Sequence, residues 1–166
     1  LMAYGSRKPR TITVGVLNAT PALEATFAGF KERMSELGYV EGESVSYIYE
    51  GAILDPELLD EAAKELVAAE PDLILSVSTP ATKAVQKATS ETDIPVVFVP
   101  VTDPVGSDIV ESLVEHKGQI TGVTNRGSEG RRLEWLVTIT PNAEQIYLLH
   151  DPQDQSSVSA LTTVEE

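Results

Sequence analysis

The chain has 166 residues, 42% hydrophobic and 23% charged, enough to bury one ordinary core and unlike a disordered or fibrous polymer. Its 26 acidic and 12 basic residues leave a net charge of −14, which repels nucleic-acid phosphates and fits general solubility or adaptation to high salt. Cysteine is absent, which excludes disulfides and thiolate chemistry, and no apolar run nears the roughly 20 residues of a membrane helix.

Residues Leu1–Arg10 are polar and basic with no apolar signal core, and read as a tether or an appended remnant. An export signal removed further upstream is compatible with this start. A β-rich run at Thr11–Leu17 comes first. Leu23, Phe27, Phe30, Met34 and Leu37 follow at spacings of 4, 3, 4 and 3, the single apolar stripe of a helix. Gly38 then stands where a left-handed C-terminal cap is wanted. A second strand is expected at Ser44–Tyr49, and a second helix at Pro56–Ala69 burying Leu58, Leu59, Ala62, Leu66 and Ala69. Strand three is read at Leu73–Val77, helix three at Pro80–Thr89, strand four at Val96–Val101, helix four at Pro104–Val114 and strand five at Gln119–Thr124. Strands alternating with helices mark βαβ units, and therefore an α/β fold with a doubly wound parallel sheet.

Beyond Asn125 the organisation changes. Arg126–Gly130 is a polar link, a helix is expected from about Glu129 to Val137, and a strand from Gln145 to His150. Gln153–Glu166 starts polar and begins another helix. One helix and one strand cannot close a core of their own. Residues 11–125 are therefore expected to form an N-terminal α/β lobe, with 126–166 a hinge and the truncated start of a second lobe.

One device recurs where strands lead into helices: Thr20-Pro21, Asp55-Pro56, Thr79-Pro80 and Asp103-Pro104, with Asp151-Pro152 as a fifth. A Thr or Asp side chain caps the first free amides, and Pro is preorganised for the first helical turn. At Asp55 this reads as simple helix initiation. The junctions after strands one, three and four matter more, because open α/β sheets bind ligands outside the carboxyl ends of their strands.

The chemistry is sparse. His116 sits in a charged stretch and reads as a solvated surface residue, and neither it nor His150 has a metal-ligand partner at useful spacing. His150 ends a strand and divides between ligand contact and no role. No GxSxG, P-loop or GxGxxG fingerprint is present, and Gly118, Gly122, Gly127 and Gly130 read as scattered turn residues. No nucleophile is paired with a base, so no catalytic residue, metal or cofactor is assigned and the chain is not read as an enzyme. What remains is a row of small polar groups at strand ends. Asn18 and Thr20 precede helix one, Ser76, Ser78, Thr79 and Thr82 surround the start of helix three, and Thr102 and Asp103 precede helix four. Free helix amides with hydroxyls suit a carboxylate, and Asp103 suits an ammonium group, a pairing that fits a zwitterion such as an amino acid. Capping and ligand contact are compatible roles for Ser78, Thr79 and Asp103.

These residues resemble a known family. Asn18-Ala-Thr-Pro-Ala-Leu-Glu24, Gly29-Phe30-Lys31 and Leu37-Gly38-Tyr39-Val40-Glu41-Gly42 are similar to the opening of ABC transporter substrate-binding proteins, the group that includes lipoproteins binding tryptophan and other aromatic amino acids. The likeness continues through Ser78-Thr79-Pro80-Ala81-Thr82, Ile94-Pro95-Val96-Val97-Phe98 and Val101-Thr102-Asp103-Pro104-Val105-Gly106. Ile120-Thr121-Gly122-Val123 and Arg132-Leu133-Glu134 extend it over residues 11 to about 157.

The resemblance implies a two-lobe type I periplasmic-binding-protein fold that closes by a hinge over a small-molecule ligand. It implies an ABC-type membrane permease as partner, and a periplasmic or extracellular location as a membrane-anchored lipoprotein. Carried over by position, the ligand-facing residues are Asn18, Thr20, Ala22 and Leu23, then Ser78, Thr79 and Ala81, then Thr102 and Asp103. Where the family often has Tyr-Asn-Pro followed by Asn-Ser, this chain has His150-Asp151-Pro152 and Gln155-Ser156, so His150 and Asp151 are the second-lobe candidates. A ligand-sensing regulatory domain of the same fold is the alternative function.

Overall fold

The computed structural model describes residues 10–115, 118–125, 129–152 and 155–165. The tether (residues 1–9), His116 and most of the expected 126–130 link lie outside the described residues, as do the side chains of Gln155 and Ser156.

Five parallel strands make one sheet: β1 (Ile12–Asn18), β2 (Val45–Ile48), β3 (Leu73–Val77), β4 (Val96–Val101) and β5 (Ile120–Thr124), in the spatial order β2-β1-β3-β4-β5. This order reverses direction between β1 and β3, which makes their adjoining carboxyl ends the topological switch point of the fold. Helices α1 (Glu24–Glu36), α2 (Pro56–Ala68) and α3 (Thr79–Ala88) cover both faces. Alternation along the strands divides the core accordingly. Val14, Val16, Leu75 and Val77 meet Phe27, Phe30 and Met34 of α1, while Leu17, Ile74 and Val96 meet α2 and α3. The doubly wound parallel sheet expected from the sequence is the sheet observed.

Local chemistry explains the helix limits. A 3-10 turn at Pro21–Leu23 leads into α1, with the Thr20 hydroxyl accepting from Ala22 N at 3.3 Å. At the other end Gly38, with φ +90°, closes a Schellman cap: Gly38 N donates to Ser35 O at 3.0 Å and Tyr39 N to Met34 O at 2.9 Å. Asp55 caps α2 by accepting from Glu57 N at 2.9 Å. In α2 the inward line is Leu59, Ala63 and Leu66, whereas Leu58 is 53% exposed and Ala69 is exposed. The row at i, i+4 and i+7 faces the core, with Ala62 partly buried beside it.

Three further expectations fail. Pro104–Val114 is not a helix but a series of turns. Asp108 takes φ +55°, and both Ile109 N and Val110 N return to Pro104 O, so the i→i−4 ladder stops after one turn. Gln145–His150 forms no strand: among the described residues no strand pairs with it, and Tyr147 is 83% and Leu149 100% exposed. The cap of α3 is not Thr79 but Ser78, and Thr79 is the first helical residue. After β5, α4 (Glu129–Ile139) and α5 (Gln155–Glu165) pack on one another. Pro100, within β4, falls where the β4–β5 register shifts between Phe98 and Val101, a bulge that spares the ladder its missing donor.

Gly15 on β1 admits α2: a Cβ there would stand 3.1 Å from Leu66 Cδ2. We predict that Gly15→Val lowers unfolding free energy by about 1–3 kcal/mol, read from the urea midpoint. Gly29→Ala, on an α1 position with open space around it, should raise stability by up to about 1 kcal/mol.

Candidate functional site

Three of the residue groups singled out in the sequence arrive at one edge of the sheet. Asn18–Leu23 leaves β1, Ser78–Ala81 leaves β3 and Thr102–Asp103 leaves β4, and these three strands are neighbours. Backbone bonds hold their exits together: Ala19 N donates to Val77 O at 3.3 Å and Ser78 N to Val99 O at 3.4 Å.

The exit of β3 is the most constrained. Ser78 has φ 85° and ψ 161°, a region essentially reserved for glycine. It is held there by what surrounds it. Thr82 on the first turn of α3 donates its hydroxyl to Ser78 O at 2.8 Å and shares a bond of 2.9 Å with the buried Ser76 hydroxyl, while Thr82 N also reaches Ser78 O at 3.0 Å. Ser76 and Thr82, expected near the start of α3, are fully buried, and together they pin that start to the strand. The Ser78 hydroxyl oxygen is buried and lacks a hydrogen-bond partner among the described residues. Thr79 is 6% exposed and Ala81 fully buried. The amides of Thr79 and Ala81 lie in the first turn, where a helix has no internal acceptor.

At the exit of β4, Asp103 is buried, its Oδ1 accepting from Gly106 N at 3.0 Å while its carbonyl accepts from Ser107 N at 3.0 Å. Gly106 is required there, since any Cβ would run into the Asp103 carboxylate. Thr102 is half-buried and its carbonyl accepts from the Thr124 hydroxyl at 3.1 Å.

At the exit of β1, Thr20 and Leu23 are half-buried and Ala22 exposed, whereas Asn18 is fully buried with its side chain engaged. Asn18 Oδ1 accepts from Thr20 N at 3.0 Å, and Nδ2 donates to Glu24 Oε1 at 3.3 Å and to the Tyr49 hydroxyl at 3.4 Å. Burial, then the bond it donates to Glu24, raise the Tyr49 phenol above its ordinary 10.0, and the bond from Asn18 opposes this. His150 and Asp151 stand apart in the chain, on the exposed stretch between α4 and α5. His150 lines a cavity of about 260 Å³ with Arg132, Leu136, Leu148 and Leu161. Asp151 N donates to the Ser157 hydroxyl at 2.9 Å.

Two features escaped the sequence reading. A left-handed Ser78 has no signature in a Ser-Thr-Pro run, since serine there reads equally well as an ordinary cap. The Tyr49–Glu24 contact joins residues 25 positions apart, and only the β1–β2 pairing brings them together.

With this geometry in place, residues 11–166 match the ABC transporter substrate binding protein family. The chain belongs to that family. Over 152 residues it is 30% identical to the tyrosine-binding protein of Clostridioides difficile strain R20291, covering 92% of this chain and 44% of that one. An ABC domain from Streptococcus pneumonia, solved in complex with L-Trp, superposes with a TM-score of 0.85 at 27% identity over 93% of this chain and 52% of its own. A conserved domain protein of Vibrio cholerae gives a TM-score of 0.84 at 28% identity over 96% of this chain and 53% of its own. The chain thus spans about half the length of the relatives it matches, and its sheet is the α/β fold of the periplasmic-binding-protein class.

Two outcomes follow from the site. Ser78→Gly should relieve backbone strain of about 1–3 kcal/mol, partly offset by glycine's entropy, and raise the thermal midpoint; a lowered midpoint would remove strain as the description of Ser78. Stability should also fall as pH rises past 10, because the unfolded Tyr49 phenol loses its proton before the folded one does. Tyr49→Phe should flatten that fall in denaturant titrations.

Proposed function

We propose that this chain supplies the first ligand-gripping lobe of the solute-binding component of an ABC-type importer, and that the solute is an aromatic amino acid. The observation that carries this reading is the exit of β3. There a strained Ser78 delivers the N-terminus of α3, with a buried hydroxyl that has no partner among the described residues, to the switch point between β1 and β3. A helix N-terminus favours an anion, and the amides of Thr79 and Ala81 are the donors a carboxylate would meet; Pro80 has none to offer. Asp103, leaving the adjoining strand, supplies the opposite charge for an ammonium group. Thr20 and Thr102 add hydroxyls, Ala22 and Leu23 add apolar surface, and Asn18 acts from behind by holding Thr20. The tyrosine-binding and L-Trp-bound relatives support an aromatic side chain on the ligand.

In this reading residues 11–125 are the lobe, and 126–166 are the hinge and the start of a second lobe bearing His150 and Asp151. Large apolar side chains exposed on that stretch, Trp135, Tyr147 and Leu149 among them, support a further packing partner for it. Ligand held between two lobes would stabilise the closed form, and a membrane permease would recognise that form. The protein would work in the periplasm or outside the cell, tethered as a lipoprotein.

The test is a nuclear magnetic resonance titration of this chain with L-tryptophan and L-tyrosine. Half of a divided site should bind with Kd of about 1 mM or weaker. Shift changes should gather on the amides of residues 20–23, 78–82 and 102–106. Asp103→Ala should weaken the response at least about fivefold, as loss of a charged hydrogen-bond partner does. Shifts confined to other surfaces, or an unchanged response in Asp103→Ala, would discard the site or the ammonium contact respectively. Micromolar binding by this chain would count against a site divided between two lobes.

A further inference from the structure

The turn that leads from β1 to α1 is fastened at both ends to one phenol. Asn18, the last residue of β1, and Glu24, the first of α1, bracket it. Tyr49, one residue past the end of β2, donates its hydroxyl proton to Glu24 Oε1. The Asn18 amide donates to that same Oε1 and to the Tyr49 oxygen, at 3.3 and 3.4 Å. From this cluster the order passes into the turn itself. Asn18 Oδ1 takes Thr20 N, Thr20 Oγ1 takes Ala22 N, and Thr20 O takes Leu23 N at 3.2 Å.

The cluster is rigidly mounted. The Tyr49 ring stands edge-on to Phe27 of α1, with centroids 4.8 Å apart and planes at 66°. Asn18 is fully buried, and its backbone carbonyl accepts from Ile53 N at 2.9 Å, which ties in the segment that follows β2. Glu24 occupies the first turn of α1, where the helix dipole favours its carboxylate. One acceptor oxygen thus receives hydrogen bonds from two side chains, one at the end of β1 and one just past β2. Removing the phenol hydroxyl takes away one of the two acceptors of the Asn18 amide and the second donor to Glu24 Oε1, and the turn loses its fixed start.

We propose that Tyr49 and Glu24 are positioning residues which, acting through Asn18, set the conformation in which the turn at 19–23 meets ligand. This rests on the solute-binding reading above, which takes Thr20, Ala22 and Leu23 as part of the ligand surface. Neither Tyr49 nor Glu24 need touch the ligand. Their effect is on how well the turn is organised before ligand arrives, so that affinity changes while the fold stays.

The experiment compares the wild-type chain with Tyr49→Phe, Glu24→Ala, Glu24→Gln and the double variant Tyr49→Phe/Glu24→Ala, using L-tryptophan as probe and backbone amide exchange as a second readout. Tyr49→Phe keeps the ring against Phe27, and Glu24→Gln keeps an acceptor oxygen. Tyr49→Phe and Glu24→Ala should each weaken L-tryptophan binding about five- to tenfold. Exchange at Thr20, Ala22 and Leu23 should rise in both while β3 and α3 keep their protection. The double variant should be no weaker than either single one, since both break the same unit, and Glu24→Gln should stay within about twofold of wild type. Undiminished affinity in a folded Tyr49→Phe, or losses that add in the double variant, overturn the proposal. A wild-type chain that gives no response to L-tryptophan overturns the solute-binding reading and this proposal with it, an outcome distinct from the other two.

Discussion

Strand β3 leaves the sheet through a residue whose backbone is not at rest, and the surroundings of Ser78 make that conformation the one available. Ser76 and Thr82 are fully buried and share a hydrogen bond, and Thr82 reaches back to Ser78 O through both its amide and its hydroxyl. A buried hydroxyl without a partner costs free energy, so these bonds hold the start of α3 against the end of β3. Ser78 must turn the chain within that closed frame. The direction of α3 follows, and with it the place where its unpaired amides emerge. The other strand exits are arranged around this one: Ala19 N bonds to the residue before Ser78, and Ser78 N bonds to Val99 of β4.

The neighbouring exits have the same logic of short polar contacts anchored in the core. Asp103 folds over Gly106, where only a missing side chain leaves room for its carboxylate. Asn18 spends its hydrogen-bonding capacity on Thr20, Glu24 and Tyr49 instead of presenting it at the surface. A parallel sheet with helices on both faces leaves its strand exits as the places where polar backbone must be satisfied by side chains, since no ladder continues there. Polar residues at these positions therefore serve two ends at once. They satisfy the chain, and in the proposed reading they also shape the edge that meets a solute.

Much of this was legible in the chain. The α1 stripe from Leu23 to Met34, the Gly38 cap and the Asp55-Pro56 start are local features, decided within a few residues, and they stand as expected, while Leu37 at the end of the stripe is exposed. The strands read correctly because β3 and β4 are short, β-branched and bounded by turn residues. Failures came where neighbours decide. Val105 to Val114 has helical spacing, yet Gly106, Ser107 and a left-handed Asp108 end the ladder after one turn. Gln145–His150 has strand composition, but composition cannot supply the second strand a ladder needs. Leu58 is as apolar as Leu59, and only the packing of α2 in the fold decides which of them is covered.

By itself, then, the amino-acid sequence determined the alternation of strands and helices, the capped starts at Thr20 and Asp55 and the small polar groups at the ends of β1, β3 and β4. Each of these depends on dihedral preference, periodicity or a hydrogen bond to a near neighbour. Only the tertiary structure decided that Ser78 is strained, that Asn18 is sealed beneath the surface, and that Tyr49, just past β2, joins Glu24 of α1. Those are consequences of the strand order β2-β1-β3-β4-β5, which sets residues distant in sequence side by side. No local preference carries that information, because the energy that fixes it is the burial and pairing of whole elements against one another.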